Sequence, residues 1–154
     1  MMHWRKTELR RHGFTLLEVM VALVIIFMLA AAAYPSYQEA VRKSKRMEGR
    51  AALMQLMQQQ ERFHTLHNSY IGFSSASLDE DERKFKWFSG NVAQRSAYEI
   101  KGQACANETI QDCVLLIATP GTVKVDSGYA DPVCGELKLD STGSKAADKP
   151  DCWI

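Results

Sequence analysis

From Phe14 to Tyr34 the chain runs for twenty-one residues with one charge, Glu18. A helix of about 20 apolar residues crosses a bilayer core, so this run predicts a membrane-spanning segment. Pro35 follows directly. Inside a helix a proline removes one backbone hydrogen bond and kinks or loosens the preceding turn. From Ser36 to about Leu66 the pattern changes. Val41, Met47, Ala51 and Met54, overlapped by Leu53, Leu56, Met57 and Phe63, recur at three- and four-residue spacing among strong helix formers. That period predicts an amphipathic helix whose second half lies against a sheet. The methionines fit adaptable packing rather than a metal or cofactor feature. Read as one helix, residues 14–66 would reach about 80 Å at 1.5 Å per residue. A small domain does not need that length, so half of the helix is expected to project.

Beyond the helix the signals turn to strands. Asn68-Ser69-Tyr70 through Ser77 is turn-rich, and Asp79-Glu80-Asp81-Glu82 is an acidic run expected to stay solvated. Phe85-Lys86-Trp87-Phe88 reads as an edge strand or an apolar loop patch. Ala97–Ile100 and Gly135–Asp140 alternate apolar and polar positions, while Cys113–Thr119 is an apolar strand buried on both faces or nearly so. Pro120-Gly121, Ser127-Gly128 and Ser141-Thr142-Gly143 supply turns between them. The prediction is an α+β fold: a long N-terminal helix packed on a small antiparallel sheet, with a disulfide-closed C-terminal region. Its parts are a basic leader (1–13), a membrane-spanning helix (14–34), an amphipathic helix continuing into the head (35–66), and the linker and β-sheet head (67–154).

Charge sharpens the topology. Arg5, Lys6, Arg10 and Arg11 precede the span against one acid, Glu8, which predicts a cytoplasmic N-terminus. The leader holds four of the nineteen basic residues and one of the eighteen acids, leaving fifteen against seventeen, a net −2, beyond Gly13. The positive balance of the whole chain therefore belongs to the leader. Cys105, Cys113, Cys134 and Cys152 all follow the span, in a region the topology places outside the cytoplasm, and an even number there predicts two disulfides. Four cysteines allow three connectivities and the sequence does not choose among them. Nearest-neighbour pairing, Cys105–Cys113 and Cys134–Cys152, is the expectation adopted. A zinc site would want Cys-x-x-Cys pairs, and the sequence has none.

The carboxylate of Glu18 is the anomaly. A charge at mid-bilayer costs about 2.5–3.5 kcal/mol on insertion scales, which makes an intramembrane acid a functional signal. A secretory signal peptide, with Ala30-Ala31-Ala32-Ala33 as its cleavage site, would explain the leader and the run. Its apolar region is usually shorter, however, and seldom carries a glutamate. A plain single-span anchor would leave Glu18 an unexplained cost. The basic leader, Gly13, then Phe14-Thr15-Leu16-Leu17-Glu18 and an unbroken apolar run resemble the N-terminal signature of type IV prepilins. That resemblance implies cleavage by a prepilin peptidase between Gly13 and Phe14, N-methylation of Phe14, and a role for Glu18 in assembly. There the carboxylate would neutralise the N-terminal ammonium of a neighbouring subunit. It also implies a local loss of helix around Pro35 when the subunit enters a filament. The tail from Cys134-Gly135-Glu136-Leu137 to Ser144-Lys145, closed by Cys152-Trp153, is similar to that of type IVa minor pilins of the PilE-like group. Asn68-Ser69-Tyr70 and Ala33-Tyr34-Pro35-Ser36-Tyr37 point the same way.

The remaining residues offer no catalytic constellation. There is no glycine-rich phosphate loop and no metal set, so neither an enzyme nor a cofactor is expected. His64 and His67, three apart, lack a third ligand nearby and read as polar-face histidines. Arg42, Lys43, Lys45, Arg46 and Arg50 make the early amphipathic segment basic. They suit either contact with headgroups or neighbouring subunits, or a solvated face laced with ion pairs. The resemblance implies a structural subunit that starts as a single-span precursor in the bacterial inner membrane, head in the periplasm, and ends in a pilus serving adhesion, twitching motility or DNA uptake. Its partners would be other pilin subunits, prepilin peptidase and the inner-membrane assembly machinery. Two alternatives stay open: a pseudopilin of type II secretion and a competence pilin that binds DNA directly. From His67 onward nine basic residues face thirteen acids, a net −4, which weighs against DNA. Lys84, Lys86 and Trp87 remain a candidate local stripe.

Overall fold

The computed structural model describes residues 13–153. The expected leader, with its four basic residues, lies outside them except for Gly13. A single helix, α1, runs Leu16–His67 and includes Pro35. It starts two residues later than the apolar run and ends one residue beyond the expected limit. Thr15 caps its start: the Thr15 Oγ1 accepts the Glu18 N–H at 3.2 Å, satisfying one of the orphan donors of the first turn. At its far end Asn68 adopts a left-handed conformation (φ 52°) and its N–H returns to His64 O at 2.8 Å. Asparagine is one of the few residues to take that geometry cheaply. Pro35 leaves the Ala31 carbonyl without its helical donor, yet helix continues on both sides.

The described chain forms two compact units, one ending at Ala40 and one from Val41 onward. In the first, every residue from Gly13 to Tyr37 is exposed, including Phe14, Leu16, Leu17 and the isoleucines at 25 and 26. Length and composition suffice for this helix to cross a membrane.

The second unit holds the core. Four strands, β1 (Tyr98–Ala104), β2 (Val114–Pro120), β3 (Leu137–Asp140) and β4 (Lys145–Ala146), form an antiparallel sheet in the order β1-β2-β3-β4. The expected meander is present with one strand more. Residues 114, 116 and 118 of β2 point one way and are fully buried, while Ile117 on the other face is 6% exposed. Leu53 and Leu56 of α1 pack with Tyr98, Ile100, Leu116 and Leu137 in a single cluster. Burying each leucine contributes about 2 kcal/mol. Gly49 lets the two elements approach closely at this face. A Cβ there would stand 2.8 Å from the Tyr98 ring, so any side chain forces the buried aromatic or the helix backbone to shift.

Phe85–Phe88 is not a strand but a loop patch. Phe85 is buried, and Phe88 makes an isolated bridge with Glu99. Phe73 makes a second with Gly102, so the connection between helix and sheet covers the outer edge of β1. Covering an edge in this way removes a template for unwanted strand pairing.

Candidate assembly end and head surface

The N-terminal end is open to its surroundings. Phe14 is 81% exposed, and the Cα of Gly13 faces open space. Glu18 stands three residues after the capping threonine, so Thr15-Leu16-Leu17-Glu18 has the spacing of a capping box. The acid also sits where the positive end of the helix dipole favours a carboxylate. Its side chain is exposed, free of any covering side chain that would prevent contact with another chain.

Lys45 and Arg46 of the early amphipathic segment make polar contacts with the head. Lys45 pairs with Glu48 at 3.2 Å and donates to Arg95 O. Arg46 donates through Nε and Nη2 to the two oxygens of Asp131, at 2.8 and 2.7 Å. Asp131 lies eighty-five residues away, and its side chain is fully buried. The Tyr98 hydroxyl donates to Asp131 Oδ2 at 2.9 Å, the Cys134 N–H to Oδ1 at 3.1 Å. With the Tyr98 proton committed to the carboxylate, Tyr129 donates to the Tyr98 oxygen at 3.1 Å. Burial alone would push the Asp131 carboxyl up. The Arg46, Tyr98 and Cys134 donors outweigh it and hold it below the ordinary carboxylate range. Burial, followed by the hydrogen bond with Tyr129 and the adjacent Asp131 charge, raises the Tyr98 phenol far out of the physiological range. This clasp ties α1, β1 and the segment before Cys134 into one polar knot. Nothing in the sequence marks Asp131 as its centre.

The cysteines are paired as Cys105–Cys113 and Cys134–Cys152. The first closes the β1–β2 connection, and the second ties the start of the β3 segment to the C-terminal turn. Cys105, Glu108 and Cys113 lie close enough to resemble a metal site, but both sulfurs are spent in the disulfide. A second polar cluster surrounds Glu99, which accepts from Ser75 and Thr122, each at 2.6 Å, and lies 3.6 Å from the Lys124 ammonium. It binds the linker after α1 to the loop after β2.

The remaining sequence candidates separate. His64 stacks on Tyr70 and His67 on Phe63, so each histidine is taken by a different ring. Lys84 pairs with Asp81 at 2.7 Å and is neutralised by the acidic run beside it. Lys86 does otherwise: its ammonium lies 5.0 Å from the centre of the Phe88 ring, which Trp87 meets edge-on. The expected stripe is therefore one ring-held cation beside one carboxylate-bound cation.

Comparison with known proteins separates the same two parts, the N-terminal end and the head. No curated protein matches the chain. Among solved structures, the chain is similar to a type IV pilin from Shewanella oneidensis, with 21% identity over 73% of this chain and 98% of that one, and a TM-score of 0.47. Residues 9–34 match the prokaryotic N-terminal methylation motif. Residues 35–138, two thirds of the sequence, match the model described as type IV minor pilin ComP, DNA uptake sequence receptor. An α+β chain with one long N-terminal helix, a small antiparallel sheet and two disulfides, carrying both matches, belongs to this type IV minor pilin family.

Proposed function

We propose that the chain is a pilus subunit whose head binds DNA during uptake. It is a structural subunit rather than an enzyme. The observation that carries this is the family match from Pro35 to Lys138, which spans the amphipathic helix and most of the sheet. DNA uptake, one of several roles open at the sequence level, is thereby favoured over adhesion or motility, and no observation favours the pseudopilin reading. The N-terminal motif supports a membrane-anchored precursor that ends in a pilus. In this reading prepilin peptidase cuts between Gly13 and Phe14, Phe14 is methylated, and the inner-membrane assembly machinery extracts the subunit. The head lies on the periplasmic side before extraction. Glu18 neutralises the N-terminal ammonium of a neighbouring pilin, and Pro35 marks the turn where the helix loosens on entry.

Two measurements test the proposal. Mass spectrometry of the mature chain is expected to give Phe14 as a methylated first residue; an unmodified terminus, or one at Ala31 or beyond, refutes the processing. Fluorescence anisotropy with the full chain in detergent micelles is expected to show salt-dependent binding of duplex DNA. No binding at low salt refutes the DNA reading.

A further inference from the structure

The net charge of −4 from His67 onward hides how the cations are held. Lys84, Lys124 and Lys138 each face a carboxylate, at 2.7, 3.6 and 3.2 Å. On the helix Lys45 and Arg46 do the same. Such a cation offers little field to an incoming anion. Lys86 is held by a ring instead. Its ammonium sits over Phe88 and keeps its full charge, and the aromatic face restricts where that charge stands.

That ammonium opens onto a shallow cavity of about 160 Å³ between α1 and the 84–88 segment, lined by Ala52, Gln55, Leu56, Gln59, Lys86 and Phe88. Three of these, Ala52, Leu56 and Phe88, are apolar. Gln59 spends its amide nitrogen on Lys84 O at 3.1 Å, which leaves its carbonyl as an acceptor. Gln55, one helical turn earlier and exposed, brings a further amide to the same cavity. A cation and an amide donor together suit an anionic oxygen, and no carboxylate lines the cavity to oppose it.

We infer that this cavity seats one phosphodiester of the DNA backbone, with the Lys86 ammonium and the Gln55 amide as its donors. The inference rests on the DNA reading proposed above and adds the place and chemistry of contact. Phe88 is a positioning residue: it fixes where the ammonium stands. A phosphate contact sets position and affinity rather than sequence choice, so base discrimination lies elsewhere on the head.

The test uses the full chain in detergent micelles and a short labelled duplex, titrated at several salt concentrations. Lys86→Gln is expected to weaken binding about fivefold to tenfold at low salt and to shallow the slope of log affinity against log salt by about 0.9. Gln55→Ala is expected to weaken binding about twofold to threefold without changing the slope, because a neutral donor releases no counterion. Phe88→Leu should fall between the two while leaving the slope near that of the unaltered protein. Lys145→Gln, which removes a cation held over Trp153 outside the cavity, is the control and should change neither quantity. Competition with phosphatidylglycerol micelles distinguishes a lipid headgroup from the DNA backbone, and displacement by DNA alone is expected. The inference is overturned if Lys86→Gln binds with the affinity and slope of the unaltered protein, if Lys145→Gln has the same effect, or if phosphatidylglycerol competes equally at matched phosphate. If the unaltered protein does not bind DNA at all, the DNA reading itself fails.

Discussion

Helix α1 is two physical objects under one hydrogen-bonding pattern. Up to Tyr34 it is apolar but for Glu18 and exposed throughout, whereas from Val41 it has a buried stripe at Gly49, Ala52, Leu53, Leu56 and Gln60. The later half finds within its own chain everything its sequence calls for. The earlier half finds nothing there, so its surface is complete only in lipid or among other helices. The polar groups differ in the same way. Glu18 has only its capping neighbourhood for company, while the buried polar groups of the head have partners at every atom. A subunit built this way is self-sufficient at one end and dependent at the other.

The largest expected effect falls on the dependent end. Glu18→Val should insert and be processed as before but fail to enter filaments, seen as loss of the subunit from sheared pili with normal membrane levels. Normal incorporation would show that the carboxylate serves only the capping of its own helix. On the self-sufficient end, Arg46→Met leaves the Asp131 carboxylate buried without its cation and should cost about 3 kcal/mol in denaturant unfolding. A loss below about 0.5 kcal/mol would mean that Tyr98 and the Cys134 N–H suffice to hold the charge. The same clasp gives a pH dependence. Because the folded carboxyl titrates below its unfolded value, its contribution is fully present above about pH 4 and is lost as pH falls through the folded value. Asp131→Asn should flatten the acid limb of the stability curve there, and an unchanged limb would refute the assignment. Replacing Cys134 and Cys152 together by serine opens an eighteen-residue separation and should cost about 3 kcal/mol, against about 2.5 for the eight-residue separation of Cys105 and Cys113. The reverse order would place the stabilisation in the β1–β2 connection. The smallest effect should be Gly49→Ala. Contact with the Tyr98 ring opposes the better helix propensity of alanine, for a net loss of about 1 kcal/mol.

The helix was legible because an apolar run long enough to cross a bilayer leads into a three- and four-residue period that lasts to Phe63, and β1, β2 and β3 because each alternates or runs apolar between turn residues. β4 was not, since Lys145–Ala146 is two residues long and exposed, and exists only through pairing with Lys138 and Leu139. The Ser141-Thr142-Gly143 turn was the available clue: a tight reversal after a strand asks for a partner strand. Asp131 was invisible for another reason. Between Tyr129 and Cys134 it looks like a turn residue, and only the fold brings Arg46 to it. Lys86 is visible in the sequence, but net charge counts it together with cations that carboxylates neutralise. What separates it is the ring beneath it together with the cavity it lines, properties of position rather than composition.

The clasp has a mechanical reading as well. Asp131 takes Arg46 of the helix on one side and the backbone N–H of Cys134 on the other, and Cys134 is bonded covalently to Cys152. Tension along a fibre enters a subunit through its helix, so in the head it passes across one charge-assisted pair directly into a crosslink. Tyr98 of β1 holds the same carboxylate, so the load is shared from that point between the crosslink and the sheet on which the helix packs.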